Sequence, residues 1–182
     1  MNKLLLSLLV SFSLLIFTSV STSFAGGFTQ LPRNFGPFEV GMTRQDFSKL
    51  TGVQPESCAI CIRKETFATI DEDQLNRFSI NADGADFFFY DGKLYQIAIG
   101  PKDKDLFMAQ QDYEDRFGPG KPIKNNGIGV LKWEDPGTMI TLNFHAQDNE
   151  VYSINLYDWN LKEERDWRES IAMEESATAT LD

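Results

Sequence analysis

Histidine is almost missing from this chain: His145 is alone among 182 residues, and cysteine occurs only as Cys58 and Cys61. That scarcity removes whole classes of chemistry. A zinc site needs about four ligands, so two cysteines and one distant histidine fall short unless carboxylates or a partner chain help. Haem attachment needs histidine directly after the second cysteine, and Ile62 stands there. No nucleophile elbow or Gly-rich oxyanion loop accompanies His145, so a hydrolase using it ranks third and the residue is expected at a strand end in a loop. Phosphate cradles are missing too. Phe117-Gly118-Pro119-Gly120 lacks the spacing and the Lys-Ser/Thr ending of one and reads as a helix stop. Carboxylates cluster at Asp71-Glu72-Asp73 and at Glu163-Glu164; the first lacks calcium-loop spacing and reads as a solvated acidic loop. No cofactor and no catalytic residue is expected.

Basic charge is also scarce, with 17 Lys and Arg against 27 Asp and Glu and a net charge of −10. Such a balance repels nucleic acid and anionic lipid surfaces. Long apolar runs are confined to the N-terminus. Met1-Asn2-Lys3 is a short basic region, Leu4 to Phe17 is mostly apolar, and a Thr/Ser segment leads to Ser23-Phe24-Ala25, a small-x-small pattern. This order is that of a secretory signal peptide cut after Ala25. The apolar run, about 14 residues, is short of the ~20 needed to span a membrane. No cysteine at the cleavage site offers a lipid anchor, and no insertion of the mature chain into a membrane is expected. The localisation expected is periplasmic or secreted. The mature 157 residues keep all 5 Tyr and 3 Trp and most of the 15 Phe, a composition for a folded core rather than a disordered chain.

The elements fall into two units of similar grammar. In the first, Thr43 caps a short helix with Asp46 three residues on, Met42 and Phe47 are spaced as a hydrophobic staple, and Gly52 ends it. Phe47 and Leu50 are expected to face the core. Phe78–Ile80 reads as a strand, Asn81–Gly84 as a turn, and Asp86–Tyr90 and Lys93–Ile99 as a hairpin around Asp91-Gly92. Alternation in the second arm puts Tyr95, Ile97 and Ile99 on the core side. The second unit opens with a helix capped by Asp103 or Asp105. Its stripe is Leu106, Ala109/Gln110, Tyr113 and Phe117, and Gly118 ends it. Strands at Gly129–Trp133, Thr138–Phe144 and Val151–Tyr157 form a meander. A third helix is expected over 161–175, with Leu161, Trp167 and Ile171 as its apolar side and a disordered tail from Ser176. Residues 55–75 are the least readable, with a strand around Thr66–Ile70 or a long loop.

Cys58-Ala59-Ile60-Cys61 supports three readings. A thioredoxin-type site needs its first cysteine at a helix N-terminus, and Ile60-Cys61-Ile62 does not continue a helix; nearby Glu56 would disfavour the thiolate. Metal binding is short of ligands. A local disulfide suits an oxidising compartment, but in an extended strand the two Cα atoms would lie about 10 Å apart, beyond the ~7 Å reach of the bond. A disulfide between Cys58 and Cys61 therefore requires a turn, and it is the leading expectation. A thiol-disulfide or metal-handling protein acting through the same pair is the alternative function.

Val40-Gly41-Met42-Thr43, with its helix ending Leu50-Thr51-Gly52, resembles the "G-M-T/S…LG" helix of small envelope proteins. These include the SmpA/OmlA outer-membrane assembly lipoproteins and the two-repeat β-lactamase inhibitor proteins. The segment "YEDRFGPGKP…KWEDPGTMITLNF" is similar to the second repeat of such exported proteins. The resemblance covers about Phe35–Tyr157. It implies helices on one face of an antiparallel sheet and a non-catalytic, protein-binding role, and it assigns no site residue.

The reading is thus an α+β domain, two helix-plus-antiparallel-strand repeats forming one sheet with helices packed on one face. It spans 26–160, after a signal peptide over 1–25 and before a C-terminal helix and tail over 161–182. Its expected function is exported, envelope-associated protein binding, with Phe88, Trp133 and Trp159 as candidate partner-binding residues. The partner is another protein, not nucleic acid. Two outcomes are expected from intact-mass measurement of the exported protein: an N-terminus at Gly26, and no alkylation of Cys58 or Cys61 before reduction.

Overall fold

Asp91-Gly92 makes the turn its dipeptide promises. Both residues take positive φ, +48° and +78°, as a two-residue hairpin turn requires, and they join β5 (Ala82–Tyr90) to β6 (Lys93–Pro101). The computed structural model describes residues 30–57, 65–125 and 128–179. Before the hairpin come a ribbon of β1 (Asn34–Phe35) and β2 (Phe38–Glu39), α1 (Arg44–Thr51), β3 (Glu56–Ser57), β4 (Glu65–Asp71) and α2 (Glu72–Asn76). After it come α3 (Leu106–Phe117), β7 (Lys121–Asn125), β8 (Ile128–Glu134), β9 (Thr138–His145), β10 (Val151–Asp158) and α4 (Trp159–Ala179).

Eight strands form one antiparallel sheet in the order β3-β4-β5-β6-β10-β9-β8-β7. Each half is a meander of sequential neighbours, and the halves meet where β6 pairs with β10, Ile97 opposite Leu156. Register carries a continuous row across six strands: Ala68, Phe87, Ile97, Leu156, Ile140 and Trp133. All six are buried. Strand alternation puts such a row on one face, and α1, α2 and α3 pack there with the N-terminal ribbon. Phe47 of α1 reaches Phe87 and Phe89 at ring-centroid distances of 4.9 and 5.2 Å, and Phe38 of β2 sits 4.6 Å from Phe87. Leu75 of α2 is fully buried in the same cluster, and Tyr113 of α3 packs 5.4 Å from Trp133.

Local chemistry sets the helix ends as expected. Thr43 accepts from the Asp46 amide and Gly52 takes the left-handed conformation at φ +77°. Asp105 accepts from the Met108 amide at the start of α3. The Arg44 amide donates to the Gly92 carbonyl at 2.9 Å and the Leu94 amide to Met42 at 2.8 Å. The Leu106 amide donates to Asn149 at 3.3 Å and the Val151 amide to Lys104 at 2.8 Å. Each helix start is thereby stitched to the hairpin that opens the last strand of its own half.

Several expectations are corrected. Leu50 is 38% exposed rather than core-facing. The acidic triad is not a loop: Asp71 caps α2, and Glu72 and Asp73 fill its first turn, where the helix dipole favours them. Phe78–Ile80 is the turn leaving α2, with Ser79 at φ +60°, and Asn81–Gly84 is no turn because β5 already starts at Ala82. β6 carries a bulge: Phe88 opposes Gln96 and Phe89 opposes Leu94, leaving Tyr95 as the extra residue. Leu94, Ile97 and Ile99 therefore face the core while Tyr95 joins the opposite side. Strand β7 was not foreseen, and α4 starts at Trp159 and continues past Ser176 to Ala179. Helices are not all on one face either, since α4 lies across the other.

Phe47→Ala should lower stability by about 3–5 kcal/mol, read as a fall in the urea midpoint. Leu50→Ala should stay within about 1 kcal/mol; equal losses would contradict this burial pattern.

Candidate functional site

Arg165 of α4 holds this helix to the second face through one carboxylate. Its Nε donates to Glu65 Oε1 at 2.6 Å, and the Tyr95 hydroxyl donates to the same oxygen at 3.1 Å. Glu65 is only 6% exposed, and these two donors satisfy its buried oxygen. Arg165 also pairs with Asp166 at 2.9 Å and Glu169 at 3.1 Å, and Lys162 pairs with Asp166. No residue of α4 from 159 to 173 is buried. Ion pairs and half-buried stems seat this helix, while Trp167 and Met173 remain 57% and 62% exposed. Beneath it lie Tyr95, Tyr157 and Met139. Beyond it the second face is a polar ladder: Gln96 donates to Asn155, and the amide nitrogens of Asn155 and Asn143 both donate to Ser153 Oγ.

On the core side, a cleft of about 750 Å³ opens between the N-terminal segment, the end of α3 and the β8–β9 corner. Leu31, Phe117, Pro119, Pro136 and the edge of Trp133 form its apolar walls. Trp133 is fixed by its indole N–H, which donates to the Gly118 carbonyl at 2.8 Å. Gly120 lies against its ring, where a Cβ would come within 2.7 Å. Asp135 organises the corner: one oxygen accepts from the Gly137 and Thr138 amides, the other from the Leu31 amide at 2.9 Å. Arg33 ties the same strap down, donating to Gly137 and pairing with Asp158 at 2.6 Å. At the rim Glu134 takes Lys121 at 2.9 Å and Lys132 at 2.7 Å. Those two ammonium groups, Lys132 first, hold the Glu134 carboxyl below its usual range.

The sequence candidates do not converge. Trp133 is 4% exposed and points into the core, with only its edge at the cleft. Phe88 is half-buried on the opposite face, 6.5 Å from Tyr95. Trp159 begins α4 with Lys162 over its ring at 5.9 Å. They are three separate places, not one aromatic patch. Cys58 and Cys61, and the disulfide expected between them, fall outside the described residues. His145 is exposed and packs its ring 4.8 Å from Tyr152. Among the described residues no group of three His, Cys, Asp or Glu could hold a metal ion, and no helix is long and apolar enough to cross a membrane. The cleft was missed because its walls come from segments about 100 residues apart, Leu31 and Asp135.

No family model matches the chain, and no curated protein matches it. Among solved structures it is similar to a cysteine-rich secretory protein of Staphylococcus aureus, at 7% identity, 67% of this chain, 45% of that chain and a TM-score of 0.43. It is also similar to a DUF4309 family protein of Bacillus subtilis, at 12% identity, 72% of this chain, 88% of that chain and a TM-score of 0.46. The chain spans less than half the length of the staphylococcal protein.

Burial raises the phenol pKa of Tyr95, Tyr113 and Tyr157, and the Glu65 carboxylate pushes Tyr95 further the same way. The unfolded chain would release these protons first as pH passes ~10. Their contribution to stability is therefore intact below that pH and lost above it, up to the folded values. Urea titrations from about pH 9 to 11 should show stability falling, with tyrosinate absorbance rising together with unfolding. Tyr95→Phe should flatten part of that fall.

Proposed function

We propose that this chain is an exported, non-enzymatic protein-binding domain made of two helix-plus-strand repeats, which takes an extended apolar segment of a partner protein in the Trp133 cleft. The repeat reading is supported by correspondence at several levels. Each half is a helix followed by a four-stranded meander, interrupted in the first half by the short α2 between β4 and β5, and the halves meet at their last strands. Asp91-Gly92-Lys93-Leu94-Tyr95-Gln96-Ile97-Ala98-Ile99 matches Asp148-Asn149-Glu150-Val151-Tyr152-Ser153-Ile154-Asn155-Leu156 in pattern. Tyr95 and Tyr152 are both the extra residue of a bulge, and the backbone bonds stitching helix to hairpin correspond pair by pair.

The cleft carries the functional reading. Its volume of about 750 Å³ lies within the ~300–1,000 Å³ of ligand sites. Its walls are aromatic, proline and leucine, and the charges at its rim cancel: Lys121 and Lys132 against Glu134 and Asp135. That chemistry selects a neutral apolar segment. Pairing of a partner strand onto the nearby edge strand β7 is opposed by Pro122, which lacks a donor, and by Lys121. Export, and the disulfide at Cys58 and Cys61, belong to the same proposal through the leader sequence. A photo-crosslinking residue at Lys121, on the cleft rim, tests it in envelope extracts. One discrete partner should crosslink there, not from exposed Lys49, and should be lost when Phe117→Glu is added. Equal crosslinking from both positions would sink the proposal.

A further inference from the structure

Two glycines face each other across β5 and β6 on the second face, Gly84 opposite Gly100. Glycine inside strands weakens them and asks for a reason. Backbone conformation is not the reason, because neither is among the glycines of positive φ. Packing is not the reason either. A Cβ at Gly100 would meet its nearest atom at 3.6 Å, an ordinary contact, and one at Gly84 would come 3.4 Å from the Ile70 carbonyl. The correspondence of the two halves sharpens the point. Matching Ile97 to Ile154 matches Gly100 to Tyr157, and their strand neighbours Gly84 to Met139. Where the second half fills the face beneath α4 with Tyr157 and Met139, the first half leaves the same place bare.

The bare place is a notch of about 310 Å³, at the lower end of the range for ligand sites. Tyr152, 39% exposed and backed by the His145 ring at 4.8 Å, forms one wall. Asp83 and Asp86 form the other, with Asp86 oriented by the Thr69 hydroxyl at 2.6 Å, and Ser153 closes the end. A backbone floor lets a flat ligand approach closely, and a tyrosine face packs against C–H groups. Carboxylates and a hydroxyl accept from and donate to hydroxyl groups. The two carboxylates repel anions.

We infer that the Gly84–Gly100 notch is a binding site for an uncharged pyranose sugar, stacked on Tyr152 and hydrogen-bonded by Asp83, Asp86 and Ser153. This site is separate from the cleft and stands whether or not the cleft binds protein.

Amide NMR shifts of the full mature chain, titrated to ~50 mM with glucose, galactose or N-acetylglucosamine, test it at the millimolar affinity expected of one ring in an open notch. At least one of these sugars should shift the amides of Gly84, Gly100 and Tyr152, and glucuronate should not. Gly100→Thr should leave the melting temperature unchanged or raised, since threonine suits a strand, yet weaken sugar binding at least tenfold. Tyr152→Ala should do the same without filling the floor. No shifts with any of the three sugars would overturn the inference. So would shifts with tetramethylammonium alone, which would mark a cation site, or undiminished binding in a folded Gly100→Thr variant.

Discussion

The pairing of β6 with β10 is the constraint on which the rest depends. Those strands join the two meanders into one sheet, and Ile97, Ile99, Ile154 and Leu156 sit in register along the seam. Separating them would expose the inner edge of each half along with the row that runs from Ala68 to Trp133. Phe47 of α1 and Tyr113 of α3 each cover part of one continuous apolar surface. The bonds that tie each helix start to its own hairpin fix where that cover sits. Sheet and helices are thus set by one seam and two stitches.

Much of this was legible from local chemistry. Thr43, Gly52, Asp105, Gly118 and Asp91-Gly92 act through their own backbone conformation or a side-chain bond a few residues away, so neighbours in sequence suffice to read them. Tyr95 was misread because alternation assumes an unbroken register, and one bulge moves a residue to the other face. Leu50 was misread because a two-turn helix has room for little more than one buried anchor, and Phe47 is that anchor. The cleft and the notch were not legible. Leu31 reaches Asp135, and Tyr152 reaches Gly84, only through the order of the strands. Even so, the match between Asp91–Ile99 and Asp148–Leu156 stood in the sequence as a signal of that order.

The two ends of the second face are put to unequal use. At one end Glu65, Tyr95 and Arg165 seat α4 through a nearly buried carboxylate. Such an arrangement contributes little net stability against an apolar equivalent. At the other end no helix of the described residues arrives, and Gly84 and Gly100 face each other there. The polar ladder of Gln96, Asn155, Ser153 and Asn143 runs between them. It keeps the uncovered strands hydrogen-bonded and compatible with water.

Glycine pairs inside a sheet run against stability: each lacks cross-strand side-chain contact and costs chain entropy relative to a β-branched residue. Nothing in the geometry requires glycine at Gly100, which admits a Cβ without a clash. Contrast Gly120, where an added Cβ would push into the Trp133 ring, so that packing alone accounts for it. Packing inside the chain thus requires glycine at Gly120 but not at Gly100. On the proposed sugar reading, Gly84 and Gly100 forgo cross-strand side-chain contact for a backbone floor that a ring can approach closely.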